Sequence, residues 1–184
     1  MKINSLSLIS VMSVLTCASA ANASVMADFY VGAMAGIGGQ TLFADGKHDT
    51  NSAQLFGAVA GMDLPVFRIE GEYDLFRATD FKTNTAMLNL YAKMPSTVIL
   101  PYIGGGIGMM FGGDQTKDSV KYNIQSTSAY QAMLGTTIDI LKVPLKFDVE
   151  GRILYAPDIY KIEATGVTPD ILEYGVRVKM RYIF

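Results

Sequence analysis

His48 is the only histidine of the chain, and it sits in His48-Asp49-Thr50-Asn51-Ser52. General base catalysis needs a nucleophile and an orienting partner held at hydrogen-bond distance. Polar residues one to four apart on a flexible stretch do not supply that geometry, so the plain reading is a solvated loop. A metal site fares no better. One histidine, a single cysteine at Cys17 and scattered aspartates such as Asp45 and Asp49 are not a dense ligand set. Gly104-Gly105-Gly106 lacks the Lys-Ser/Thr ending and the helix that a phosphate loop requires. No catalytic residue and no cofactor are therefore expected.

The chemistry with a pattern is ion pairing. From Phe67, apolar Phe67, Ile69, Gly71, Tyr73 and Leu75 alternate with Arg68, Glu70, Glu72 and Asp74. From Leu145, apolar Leu145, Phe147, Val149, Gly151 and Ile153 alternate with Lys146, Asp148, Glu150 and Arg152. Near the end, Leu172, Tyr174, Val176, Val178, Met180, Tyr182 and Phe184 alternate with Glu173, Gly175, Arg177, Lys179 and Arg181. A period of two with one wholly apolar face marks a strand with an apolar medium on one side. Adding Lys93 and Asp139, the charged faces carry seven cations and seven carboxylates. Charges shut inside a narrow space need such partners, because an unpaired one is costly to desolvate.

Strands must position these faces. Eight stretches alternate, at roughly 28–39, 53–63, 66–76, 84–94, 101–111, 127–139, 145–155 and 171–184. Each is about the length a tilted membrane strand needs. In 53–63, Leu55, Gly57, Val59 and Gly61 oppose Phe56, Ala58, Ala60 and Met62. Both sets are apolar, and either one could point outward. Short connections follow the second, fourth and sixth stretches; longer ones, at 40–52, 112–126 and 156–170, follow the first, fifth and seventh. That asymmetry is expected of an outer-membrane barrel. Pro65, Pro95, Pro101 and Pro144 fall at the short turns or their edges, and Pro157 and Pro169 in the last long loop. Gly104, Gly106 and Gly108 share a face with Tyr102, and Gly32, Gly36 and Gly38 line a second wall. An eight-stranded barrel is just wide enough for its side chains. Glycine walls would leave room for long charged ones, so a lumen plugged by its own residues is expected.

The N-terminus reads as a secretory signal peptide. Lys2 is followed by a mostly apolar stretch and then by Ala18-Ser19-Ala20-Ala21-Asn22-Ala23. Cleavage is expected after Ala23, leaving residues 24–184 as one barrel domain and removing Cys17 with the leader. Without Lys2, the 15 Lys+Arg become 14 against 17 Asp+Glu, a net charge of −3. That weak balance gives no field for nucleic acid. Half of the chain is hydrophobic, yet after the leader no stretch reaches the 18 apolar residues of a membrane helix.

Three segments carry a resemblance: Phe29-Tyr30-Val31-Gly32, Pro101-Tyr102-Ile103-Gly104-Gly105-Gly106-Ile107-Gly108, and Tyr174 to Phe184. The chain resembles the small OmpA/OmpX-type outer-membrane barrels. The resemblance implies an all-β fold, an eight-stranded antiparallel up-and-down transmembrane barrel in the outer membrane of a Gram-negative-type bacterium. It also implies that Phe184, with Tyr182 and Met180 on its face, is read by the barrel-insertion machinery. Expected partners are outer-membrane lipid, that machinery and an extracellular ligand at loops 112–126 and 156–170, with the barrel a monomer. The functional reading is a structural or surface-interacting barrel without catalysis. The alternatives are a small-molecule channel, a rim enzyme using His48 on lipid A, and a soluble lipocalin-type barrel with the same alternation turned inside out.

Overall fold

The computed structural model describes residues 27–44, 47–78, 81–94, 99–117, 120–123, 126–140, 143–158 and 170–184. Nine strands appear among them: β1 Asp28–Ala44, β2 Lys47–Asp63, β3 Phe67–Ala78, β4 Phe81–Lys93, β5 Ile99–Lys117, β6 Val120–Asn123, β7 Thr127–Asp139, β8 Leu145–Ala156 and β9 Asp170–Ile183. Eight of them close a barrel in the order β1-β2-β3-β4-β5-β7-β8-β9, with β9 pairing back onto β1. Every pairing is antiparallel. β6 folds back only onto the far end of β5, with Asp114 opposite Asn123.

The strands outrun the alternating stretches. β1 and β2 continue as a ladder up to Ala44 opposite Lys47, so most of the expected loop 40–52 is hairpin. His48 stands in β2 opposite Phe43, which corrects its placement on a loop; its side chain lies outside the described residues. Much of loop 112–126 is likewise the β5–β6 hairpin. Residues 159–169 of the last loop lie outside the described residues, as does the leader. Ladder pairing satisfies backbone groups even where the side-chain pattern gives no signal, which is why periodicity stops short of the true ends. Pro101 is the third residue of β5, with its side toward solvent or lipid.

The apolar faces point outward. Ile37, Leu134, Ile107, Ile103 and Val176 are each more than half exposed. In β2, Ala53, Leu55 and Val59 are buried while Phe56, Ala58 and Ala60 are exposed, which settles its orientation. An outer surface this continuously apolar exceeds what water-soluble monomers carry. Apolar outside and charged inside is the reverse of a soluble ligand-binding barrel. Aromatic residues mark both edges of the apolar belt, as interfacial anchors do. Phe29, Phe67, Tyr182 and Phe184 are exposed at the end that holds the termini, and Tyr182 meets Phe184 edge-on at 5.3 Å. Tyr130 and Tyr155 stand opposite one another at the far end.

Candidate functional site: the charged lumen

The period of two that sends apolar side chains out sends the alternate residues in. Arg68, Glu70, Glu72 and Asp74 from β3, Asp148, Glu150 and Arg152 from β8, and Glu173, Arg177, Lys179 and Arg181 from β9 are all buried. Because β3 lies across the barrel from β8 and β9, their charges meet over the lumen rather than along one wall.

At the centre, the Arg177 guanidinium forms a fork on Glu72, with Nη1 and Nη2 donating to Oε1 and Oε2 at 2.7 and 2.8 Å. Its Nε donates to Glu150 at 2.6 Å. Lys179 Nζ lies 2.7 Å from Glu70 and 3.4 Å from Glu150. Neutral donors complete the carboxylates. Tyr30 and Tyr91 hydroxyls donate to Glu70 at 2.7 and 2.8 Å, Tyr102 to Glu150 at 3.0 Å, and Asn89 and Gln131 amides to Glu72 at 2.9 and 3.2 Å. Charge-assisted bonds of this length are the strong class, and the fork adds direction to the pairing.

Toward the termini, Arg181 grips Asp148 through Nε at 2.7 Å and Nη2 at 2.9 Å, and reaches Asp63 at 3.3 Å. Arg68 bonds Asp148 at 3.0 Å, with its guanidinium carbon 3.9 Å from the Tyr91 ring centre and 4.6 Å from that of Tyr102. Rings stacked on a desolvated guanidinium offset part of its burial cost, yet among the described residues Arg68 Nε and Nη2 find no hydrogen-bond acceptor. At the rim, Lys93 pairs with Asp63, and Lys146 lies between Asp63 at 3.5 Å and Asp139 at 3.7 Å. Lys146 is only partly buried, so this end of the network is wet. Toward the far end, Arg152 bridges Asp74 at 2.5 Å and Glu173 at 3.0 Å.

Above Arg152 the lumen changes character. Leu55, Phe76, Met110, Leu154 and Ile171 are buried together with Ala53, Ala78, Ala129 and Ala156. Residue type does not distinguish an inward Leu154 from a lipid-facing one; its shared parity with Arg152 is the signal that marks this layer as inward. Where it meets the charges, a void bordered by Leu55, Phe76, Arg152 and Arg177 measures about 10 Å³, roughly the space of one water.

Three groups of residues were not read from the sequence. Asp63 closes β2 as a partner to three cations; its position beside a turn hid it. Asn89 and Gln131 bond one another at 2.7 Å, and Tyr30 and Tyr91 are buried. The inward parity of Asn89 and Tyr91, between outward Leu88, Leu90 and Ala92, is the signal that could have found them. With Asp63 included, the ion-paired set among the described residues becomes seven cations against eight carboxylates.

Glycines give these side chains room at close approaches. A Cβ on Gly36 would sit 2.8 Å from Arg177 Cβ, and one on Gly57 would sit 2.6 Å from Asp74 Oδ1. Among the described residues, no group of three or more His, Cys, Asp or Glu side chains is arranged to hold a metal ion. Met180, Tyr182 and Phe184 share the outer face, and the Phe184 backbone N–H donates to Phe29 O at 2.9 Å, tying the last residue to β1.

A family model described as outer membrane protein beta-barrel domain matches residues 8–182. No curated protein is similar in sequence at a level that shows relationship. Among solved structures, the crystal structure of Neisserial surface protein A (NspA) superposes with a TM-score of 0.59 at 16% identity, over 82% of this chain and 95% of that one. The N-terminal β-barrel domain of Pseudomonas aeruginosa OprF superposes with a TM-score of 0.51 at 13% identity, over 83% of this chain and 97% of that one. At such identities the likeness is one of fold.

Proposed function

This chain belongs to the outer membrane protein β-barrel family, and from that premise we propose that it is a structural or surface-interacting barrel whose lumen is closed by its own side chains. One observation carries the reading: Arg177, Lys179, Arg181 and Arg152 each bridge carboxylates from different strands across the lumen. Side chains locked in this way leave no continuous water path. The apolar layer above them adds a second barrier, since a narrow apolar constriction is itself a gate against ions.

In this reading the barrel performs no catalysis. Its work is done at the outer face, which meets lipid, and at the hairpins and loops beyond β1, β5 and β8, which present surface to the outside. Phe184, Tyr182 and Met180 mark the last strand for insertion. Residues 1–23 act as the export signal and are removed. Liposomes carrying the refolded barrel test the closure. They are expected to retain entrapped arabinose as well as protein-free liposomes do. Rapid release that depends on the barrel would favour the small-molecule channel instead.

A further inference from the structure

The ion pairs of the lumen do not share their charge evenly. At the rim, Lys93 and Lys146 face Asp63 and Asp139, two cations against two carboxylates. At the centre and toward the termini, Arg68, Arg177, Lys179 and Arg181 face Glu70, Glu72, Asp148 and Glu150, four against four. Below the apolar layer, Arg152 alone stands between Asp74 at 2.5 Å and Glu173 at 3.0 Å. Among the described residues, the one extra carboxylate of the lumen therefore sits on Arg152.

Asp74 and Glu173 are each 1% exposed, and their surroundings offer little else that is positive. Arg177 of β9 comes only to 3.6 Å from Asp74, and Glu72, the next inward residue of β3, adds a negative charge 3.6 Å from Arg152. From β4, the Thr85 hydroxyl donates to Asp74 and the Thr83 hydroxyl to Glu173, each at 3.4 Å. From β7, Gln131 Oε1 accepts from Arg152 at 3.5 Å. β1 and β2 bring Gln40, Leu55 and Gly57 to this level and no charge. Two buried acceptors here find no donor among the described residues, Asp74 Oδ1 and Gln40 Oε1. Gln40 is itself 1% exposed and stands directly opposite Glu173 on the neighbouring strand.

A buried carboxylate without its own cation takes up a proton rather than stay charged. The two acceptors that lack a donor are what such a proton would face. A metal ion does not suit the place: the void beside Arg152 measures about 10 Å³, and among the described residues no three His, Cys, Asp or Glu are grouped to hold one. We infer that the folded barrel holds one proton on the two carboxylates that share Arg152, a lumenal site whose ligand is a proton. With it, one carboxylate becomes a hydroxyl donor, Arg152 faces a single negative charge, and the ion-paired set is neutral. The site rests on the reading of the lumen as closed, because water reaching Arg152 would screen the extra charge.

Infrared spectroscopy of the barrel refolded in a carbonyl-free alkyl maltoside at neutral pH tests it. The wild-type barrel is expected to show the C=O stretch of one protonated carboxyl, shifted down when the barrel is refolded in heavy water. E173Q and D74N each leave Arg152 a single carboxylate, and each is expected to lose that band. D63N, at the wet rim, is expected to keep it. Absence of the band in the wild-type barrel overturns the site, and that result needs no variant to fold. A band that survives in folded E173Q or folded D74N, or that disappears in folded D63N, also overturns it. Failure of the closed lumen is distinct: the wild-type barrel would then release arabinose from liposomes. A barrel that retains arabinose and lacks the band loses the proton site alone.

Discussion

Arg177 and Arg68 are both buried arginines of the lumen, yet they are held differently. Arg177 meets Glu72 through a fork and Glu150 through Nε. Among the described residues, Arg68 has one carboxylate, two aromatic rings and two unmatched nitrogens. Removing one partner of a buried pair strands the other charge, at a cost of about 3–5 kcal/mol. Arg177→Met removes the fork on Glu72 and the shortest contact of Glu150, leaving them Lys179 at 3.5 and 3.4 Å beside neutral donors, and is expected to reach the lower end of that range in urea unfolding from lipid vesicles. Arg68→Met is expected to cost clearly less, since Asp148 keeps Arg181 and Thr137. Equal losses would contradict this ranking. Phe184→Ala separates two roles of the last residue. The backbone bond to Phe29 survives the change, so refolding into detergent is expected to be unaffected. Less assembled barrel is expected in the outer membrane of cells. Normal assembly would remove the insertion role.

At the scale of the strand, parity decides what a residue meets. Gly104 and Gly105 are neighbours in β5. A Cβ on Gly104 would lie 2.8 Å from Tyr91 Cε1 and 3.0 Å from Met133 Cε, whereas one on Gly105 would find only Gln131 O at 3.9 Å. Gly104→Ala is expected to destabilise the barrel by about 1–3 kcal/mol through overpacking. Gly105→Ala, facing lipid, is expected to change the unfolding midpoint little. Reversed effects would put β5 in the opposite orientation. The same parity made the faces of β3, β8 and β9 legible from sequence, because Arg68 to Asp74, Lys146 to Arg152 and Glu173 to Arg181 alternate with purely apolar residues. It failed in β2, where both faces are apolar. It also failed at strand ends: His48 gave no periodic signal although backbone pairing carries β2 past it. The apolar upper lumen was harder to read. Ile171 and Leu154 share the inward parity of Glu173 and Arg152, but their residue type gives no mark of it, and the closed ring of neighbours shows what they pack against.

At the scale of the whole molecule, two surfaces divide the work. The outer one is apolar and edged with tyrosine and phenylalanine. The inner one is a stack of ion pairs and neutral donors capped by an apolar layer. Which residues face which surface follows from strand parity and closure, whereas which charge finds which partner follows from barrel stagger, a property no single strand contains. The pairing Arg177 with Glu72, 105 residues apart, is of this second kind. The central claim is that these pairs close the lumen. Planar-bilayer recording of the refolded barrel at neutral pH tests it most directly. Bilayers holding inserted barrels are expected to show no steady conductance above background. A large, steady conductance scaling with the number of inserted barrels would contradict the account.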